Sequence, residues 1–256
     1  MNNTTLLLVT NDDGITAKGI NTLKRIAMHY GTVTVVAPDK PQSGMGHAIT
    51  LNNTLRALPV KSSLGIAEYA CSGTPVDCVK LAVAHLLPHK PNLILSGINH
   101  GSNSSISVIY SGTMSAAVEG AIEGIPSIGF SLCSHDVDAN FDQYEPFIRK
   151  VIDHVLSVGL ELGSCLNVNI PDVPATEIKG IKICRQAKAQ WVEKFDQRTD
   201  PMGNPYYWLT GYLHNEDKGT DTDEYALAHN YISVVPVQHD LTAHHLIQKH
   251  RDIELA

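Results

Sequence analysis

The sequence predicts an α/β domain built on a mainly parallel, doubly wound sheet. Three observations carry that prediction. Short apolar runs of strand length recur along the first two thirds of the chain, and segments with helical spacing separate them. The composition is that of an ordinary globular protein, with 43% hydrophobic and 18% charged residues among 256. Such a chain buries a large core and is not disordered. Apolar strands alternating with helices imply a parallel sheet covered on both faces.

TLLLV near the N-terminus is a buried strand that runs into a polar loop. KGINTLKRIAMHY places Ile20, Leu23, Ile26 and Ala27 on one helical face. TVTVVAP is β-branched and ends at Pro38. Residues 48–71 break the alternation, and their alternating apolar positions and turn residues predict an antiparallel excursion. TPVDCVKLAVAHLL has helical spacing, with Thr74 or Ser72 as N-cap and Pro75 in the first turn. PNLILSGIN is the next buried strand, TMSAAVEGAIEG a helix of small residues, and IPSIGFSL a further strand. FDQYEPFIRKVIDHVLSVGL is a long amphipathic helix, and CLNVNIP closes the series. Residues 1–172 thus predict a Rossmann-like α/β core, and 173–256 a C-terminal extension. That extension holds both tryptophans in a long hairpin around a DPMGNP turn, followed by a terminal helix. An exposed aromatic hairpin is an aggregation hazard, so it is expected to pack on, or exchange with, a neighbouring subunit.

The net charge of −7 offers no basic footprint for a nucleic-acid polymer. The five cysteines are odd in number and form no C-x-x-C pair, so neither a zinc site nor a disulfide framework is indicated. No basic segment precedes the first apolar run, and no apolar run approaches the roughly 20 residues that cross a bilayer. The expectation is a cytoplasmic protein without membrane association.

In open α/β sheets, ligands collect beyond the carboxyl ends of the strands. Asn11-Asp12-Asp13-Gly14 follows the first strand directly. Two adjacent carboxylates repel, and a cation, a helix N-terminus or plain water must compensate them. A turn freed by Gly14 lets both serve one hard divalent cation, while a solvated Asx-turn is the plainer alternative. Ser43, in the loop after the second strand, and Asn99, after the third, add neutral oxygens, although both residue types are also ordinary in turns. Ser111, Gly112 and Thr113 open a helix whose free N–H groups suit a phosphate, or else they simply cap it. Together these loops suggest an all-oxygen cation site beside an anion site, a layout for metal-assisted phosphoryl chemistry.

The ordered segments VTNDDGI, PDKPQSGMGHAIT, CSGTPVDCV, LILSGINHGSN and YSGTMSAAVEGAIEGIPSIGFSL closely resemble the SurE (survival protein E) family of nucleotidases. LNVNIP and TDTDEYALAHNYISVVPVQHDLT extend the resemblance over nearly the whole chain. The resemblance implies a 5′-nucleotidase acting on nucleoside monophosphates, with 3′-nucleotides and short polyphosphate as further candidate substrates. It implies one divalent cation per subunit, Mg²⁺ or Mn²⁺, on Asp12, Asp13, Ser43 and Asn99, with Asp12 and Asp13 also the catalytic candidates. Asn11 and the Ser111-Gly112-Thr113 turn become substrate contacts, and the assembly a homodimer or homotetramer. One departure is His229-Asn230, where a glycine is expected near the second position.

Two competing readings stand beside this one. A covalent aspartyl mechanism usually uses D-x-D, whereas these aspartates are adjacent. A non-catalytic nucleotide-binding or regulatory module also fits the fold, but neither G-x-G-x-x-G nor a P-loop occurs. His239, His244, His245 and His250 are read as part of a C-terminal helix and its approach rather than as a metal centre.

Overall fold

The first apolar run becomes β1 (Leu6–Thr10), buried along its whole length. A computed structural model describes residues 5–253 of the chain. From β1 the sheet grows in both directions. On one side lie β2 (Thr32–Pro38), β4 (Ala67–Cys71) and the edge strand β3 (Ala57–Pro59). On the other lie β5 (Leu93–His100), β6 (Ser127–Leu132), β7 (Ser164–Ile170), β11 (Tyr231–Gln238) and β8 (Gly180–Ile183). All pairings from β4 through β7 are parallel. The strand order therefore reverses at β1 and β5, which is where such sheets open a crevice for ligands.

Period-two alternation decides which helix covers which face. Leu7 and Val9 of β1 join the core under α1 (Lys18–Ala27) and α4 (Glu145–Val158). Leu6 and Leu8 face the opposite core, under α2 (Pro75–Leu81) and α3 (Gly112–Ile122). Ile20, Leu23, Ile26 and Ala27 are all buried, as their spacing predicts. Thr74 caps α2 in a reciprocal box with Asp77, and Pro75 opens the helix. The doubly wound α/β class is borne out.

Three local features differ from the sequence reading or refine it. Within residues 48–71, β3 is antiparallel to β4, but β4 itself pairs parallel with β2. The stretch is thus a crossover that returns to the main sheet and not a wholly antiparallel excursion. The histidine-rich end holds one short helical turn, α6 (His244–Ile247), followed by a tighter turn over Gln248–Ile253. At the end of α5 (Asp223–Ala228), Asn230 adopts φ +63°. It fills the left-handed position where glycine was expected, a conformation asparagine tolerates better than other side chains.

The hairpin forms as a separate two-stranded sheet, β9 (Ala189–Thr199) against β10 (Pro205–Asn215), with eleven residues in each arm. Phe195, Tyr207, Trp208 and Tyr212 are exposed on it. Among the described residues, no helix is long and apolar enough to cross a membrane.

Candidate active site

Three strand ends and one helix start are stitched together at the reversal of the sheet. After β1, Asn11 Nδ2 donates to Gly14 O at 2.9 Å and closes the turn that holds both aspartates. Gly14, at φ +96°, lies against the backbone of Pro38 and Lys40 at the exit of β2. Ile15 N donates to Pro38 O at 2.9 Å and Gln42 N to Asp12 O at 2.7 Å, which ties the loop bearing Ser43 to the aspartate turn.

The end of β5 supplies the third loop. Gly97, at φ +124°, approaches β6 so closely that a Cβ would lie 2.3 Å from Phe130 O. That approach steers the strand end toward the aspartates, where His100 N donates to Asp13 Oδ2 at 3.2 Å. Asn99 gives its amide nitrogen to Gly101 O at 2.8 Å, leaving its carbonyl oxygen as the uncommitted end. The His100 ring stands edge-on to Phe141, and its Nδ1 is buried without a partner.

The start of α3 presses on Asp12. A Cβ on Gly112 would fall 2.7 Å from Asp12 Cβ, and Thr113 Oγ1 donates to Asp12 Oδ1 at 2.5 Å. Ser111 Oγ accepts Met114 N at 3.0 Å as the helix cap. The Ser111 and Thr113 hydroxyls therefore have structural partners, and within the first helical turn Met114 N and Ser115 N are taken by Ser111 as well.

Electrostatics shows what the aspartate pair lacks. Burial, reinforced by the neighbouring Asp13 charge, pushes the Asp12 carboxyl up to about 6, against the pull of the Thr113 hydroxyl. Burial also raises Asp13, against His100, whose N–H and ring favour the charged form. Among the described residues, no lysine or arginine pairs with either carboxylate. Helix start and hydroxyl offset only part of the charge. An orphaned buried oxygen, Asn11 Oδ1, lies in the same turn. Two underpaired carboxylates with neutral amide and hydroxyl oxygens match the preference of a hard divalent cation. No three His, Cys, Asp or Glu side chains converge among the described residues, so this donor set relies on its neutral oxygens.

A model of the family described as survival protein SurE matches residues 7–193. The chain belongs to the SurE family. A Flavobacterium psychrophilum protein named 5′-nucleotidase SurE is 61% identical over 244 residues, 95% of each chain. A Christiangramia forsetii protein of the same name is 60% identical over 245 residues, 95% of this chain and 94% of that one. The crystal structure of the SurE protein from Aquifex aeolicus superposes with a TM-score of 0.84 at 37% identity, covering 98% of this chain and all of that one.

In this SurE-family chain, hydrogen bonds join Asp12 to Thr113, Asp13 to the residue after Asn99, and the Ser43 loop to the Asp12 backbone. Only the chain neighbours of Ser43 and Asn99 are tied to the aspartate turn; among the described residues neither side chain bonds to an aspartate, and Ser43 is exposed. Sequence reasoning missed three residues of this neighbourhood: His100, Asp77 and Glu119. Glu119 did carry a signal, because it is a charged residue set within a run of small and apolar ones, MSAAVEGAI.

Proposed function

We propose that this protein hydrolyses nucleoside 5′-monophosphates to nucleoside and phosphate with one divalent cation per subunit, Mg²⁺ or Mn²⁺. The observation that carries the reading is the adjacent pair Asp12 and Asp13, both pushed up and lacking a basic partner at the reversal of the sheet. The names of the relatives supply the substrate class. Asp12, Asp13, Ser43 and Asn99 would hold the cation. When bound, it offsets charge on the phosphate and lowers the pKa of the attacking water.

The chain's own groups take the other roles. Thr113 and Gly112 fix Asp12 from the side of α3, and the positive end of that helix favours a phosphate beside the aspartates. Asp13 Oδ2 accepts the His100 N–H, which holds the Asp13 carboxylate in place for the cation. Asn11 holds the aspartate turn through its amide nitrogen, and its buried Oδ1 is left to accept a bond from substrate or water. Ser111 contributes by capping α3. The same active site is a candidate for 3′-nucleotides and short polyphosphate. The exposed aromatic hairpin supports a homodimer or homotetramer. Five free cysteines accord with work in the cytoplasm.

The test is phosphate release from a panel of nucleoside monophosphates, with and without a chelator, with Mg²⁺ or Mn²⁺ added back. Expected is turnover that the chelator abolishes and the cation restores. Asp13→Asn should lower it at least ~100-fold without lowering the melting temperature. Nucleotide binding without phosphate release would instead establish a non-catalytic module. Chelator-insensitive turnover would remove the cation from the scheme.

A further inference from the structure

The loop that carries Ser43 has little apolar attachment: Met45 is 49% and Ile49 45% exposed. Hydrogen bonds hold it instead. At its near end Gln42 N donates to Asp12 O, and midway Gly46 N donates to Tyr110 O at 3.2 Å. Its far half is gripped by two buried carboxylates that the proposed chemistry leaves unused. Asp77 of α2 accepts Thr50 N at 3.1 Å and Thr50 Oγ1 at 2.6 Å, beside Thr74 Oγ1, which donates to Ala48 O at 2.7 Å. Glu119 of α3 is 1% exposed, and its Oε2 lies 2.9 Å from His47 Nε2 while Lys80 Nζ approaches Oε1 at 2.6 Å. Burial alone would raise the Glu119 carboxyl, yet the His47 and Lys80 contacts outweigh it and hold it below its ordinary value. A buried charge is costly unless its partners are in place, so this pairing ties the loop to one geometry.

We propose that Glu119 is a positioning residue for the cation: through His47 it fixes the loop that presents Ser43, assisted by the Asp77 anchor at Thr50. The helix α3 then sets two arms of the site at once, Asp12 from its first turn and the Ser43 loop from two turns further on. This inference rests on the reading that Ser43 contributes an oxygen to the cation. Losing the His47 contact leaves the bonds at Gln42, Gly46 and Thr50 in place but loosens the loop between them, so the cation must restore the placement of Ser43 as it binds.

The experiment titrates Mn²⁺ into the metal-free protein by calorimetry, with nucleotide turnover measured in parallel. His47→Ala is the principal variant, because His47 is part-exposed and its removal spares the core. Expected is a loss of Mn²⁺ affinity of about 10-fold or more, the scale typical of groups that orient ligands. The Mn²⁺ concentration for half-maximal turnover should rise in step, while kcat at saturating Mn²⁺ stays within about threefold. His47→Gln, which keeps a donor toward Glu119, should recover much of the affinity. Lys80→Ala, which removes a partner of Glu119 outside the loop, should cost much less than His47→Ala. Wild-type Mn²⁺ affinity in His47→Ala, alongside weakened binding in Ser43→Ala, would overturn the positioning role and leave Ser43 as a ligand. Wild-type affinity in Ser43→Ala would overturn the ligand reading itself, and the positioning role with it.

Discussion

Replacing Gly112 by alanine tests the contact on which the site is built. The added Cβ would lie 2.7 Å from Asp12 Cβ and 2.8 Å from Asp12 Oδ2, whereas ordinary contacts begin at 3.4 Å. Asp12 must therefore withdraw by about 0.7 Å, and as a buried residue bonded to Thr113 it has little room to do so. A displacement approaching 1 Å at a reacting centre costs up to roughly 100-fold, so kcat/KM should fall about 10- to 100-fold. Stability moves differently. The backbone at Gly112 needs no left-handed conformation, and alanine is favoured over glycine within a helix by up to about 1 kcal/mol. That gain opposes an overpacking cost of about 1–3 kcal/mol, leaving a modest change in melting temperature. Steady-state phosphate release, Mn²⁺ titration and thermal melting together read the outcome. Wild-type turnover and Mn²⁺ affinity in a folded Gly112→Ala protein would refute the claim that the start of α3 positions Asp12.

Two further outcomes follow from the geometry. In the metal-free protein Asp12 has its pKa raised from 3.8 to about 6, so the folded state binds its proton more tightly than the unfolded state. Its contribution is therefore favourable below pH 3.8 and is lost as the pH rises through 6, to a total of roughly 3 kcal/mol. Asp12→Asn should accordingly be more stable than the wild type at pH 8 in chelator, with the advantage vanishing toward pH 4 in urea unfolding. A variant less stable at pH 8 would contradict that sign. On the hairpin, Trp208 and Tyr212 lie on one face of β10, both exposed. Trp208→Glu with Tyr212→Lys should reduce the mass measured by light scattering toward that of a single chain, and an unchanged oligomer would exclude that face as the contact.

Much of the molecule was legible from local pattern. Apolar periodicity marked the strands and the buried face of α1, because side-chain direction repeats every two or 3.6 residues wherever the chain folds. Pro75 after Thr74 announced a helix start, and the resemblance of ordered loop motifs led to the family. Asn230 was legible only as an anomaly, explained once its positive φ was seen. The strand order was not legible, and with it went the parallel pairing of β4 to β2.

What the sequence determined by itself was the alternation of elements, the faces they bury and the oxygen-bearing residues at the strand ends. What only the tertiary structure decided was how those residues divide their work. Thr113 reads as a phosphate contact in sequence, yet its hydroxyl serves Asp12, 101 residues away. Glu119 drew no reading in the sequence, yet it holds His47, 72 residues away. The physical reason is that hydrogen bonds act over about 3 Å, and only the order of strands in the sheet determines which distant loops come that close.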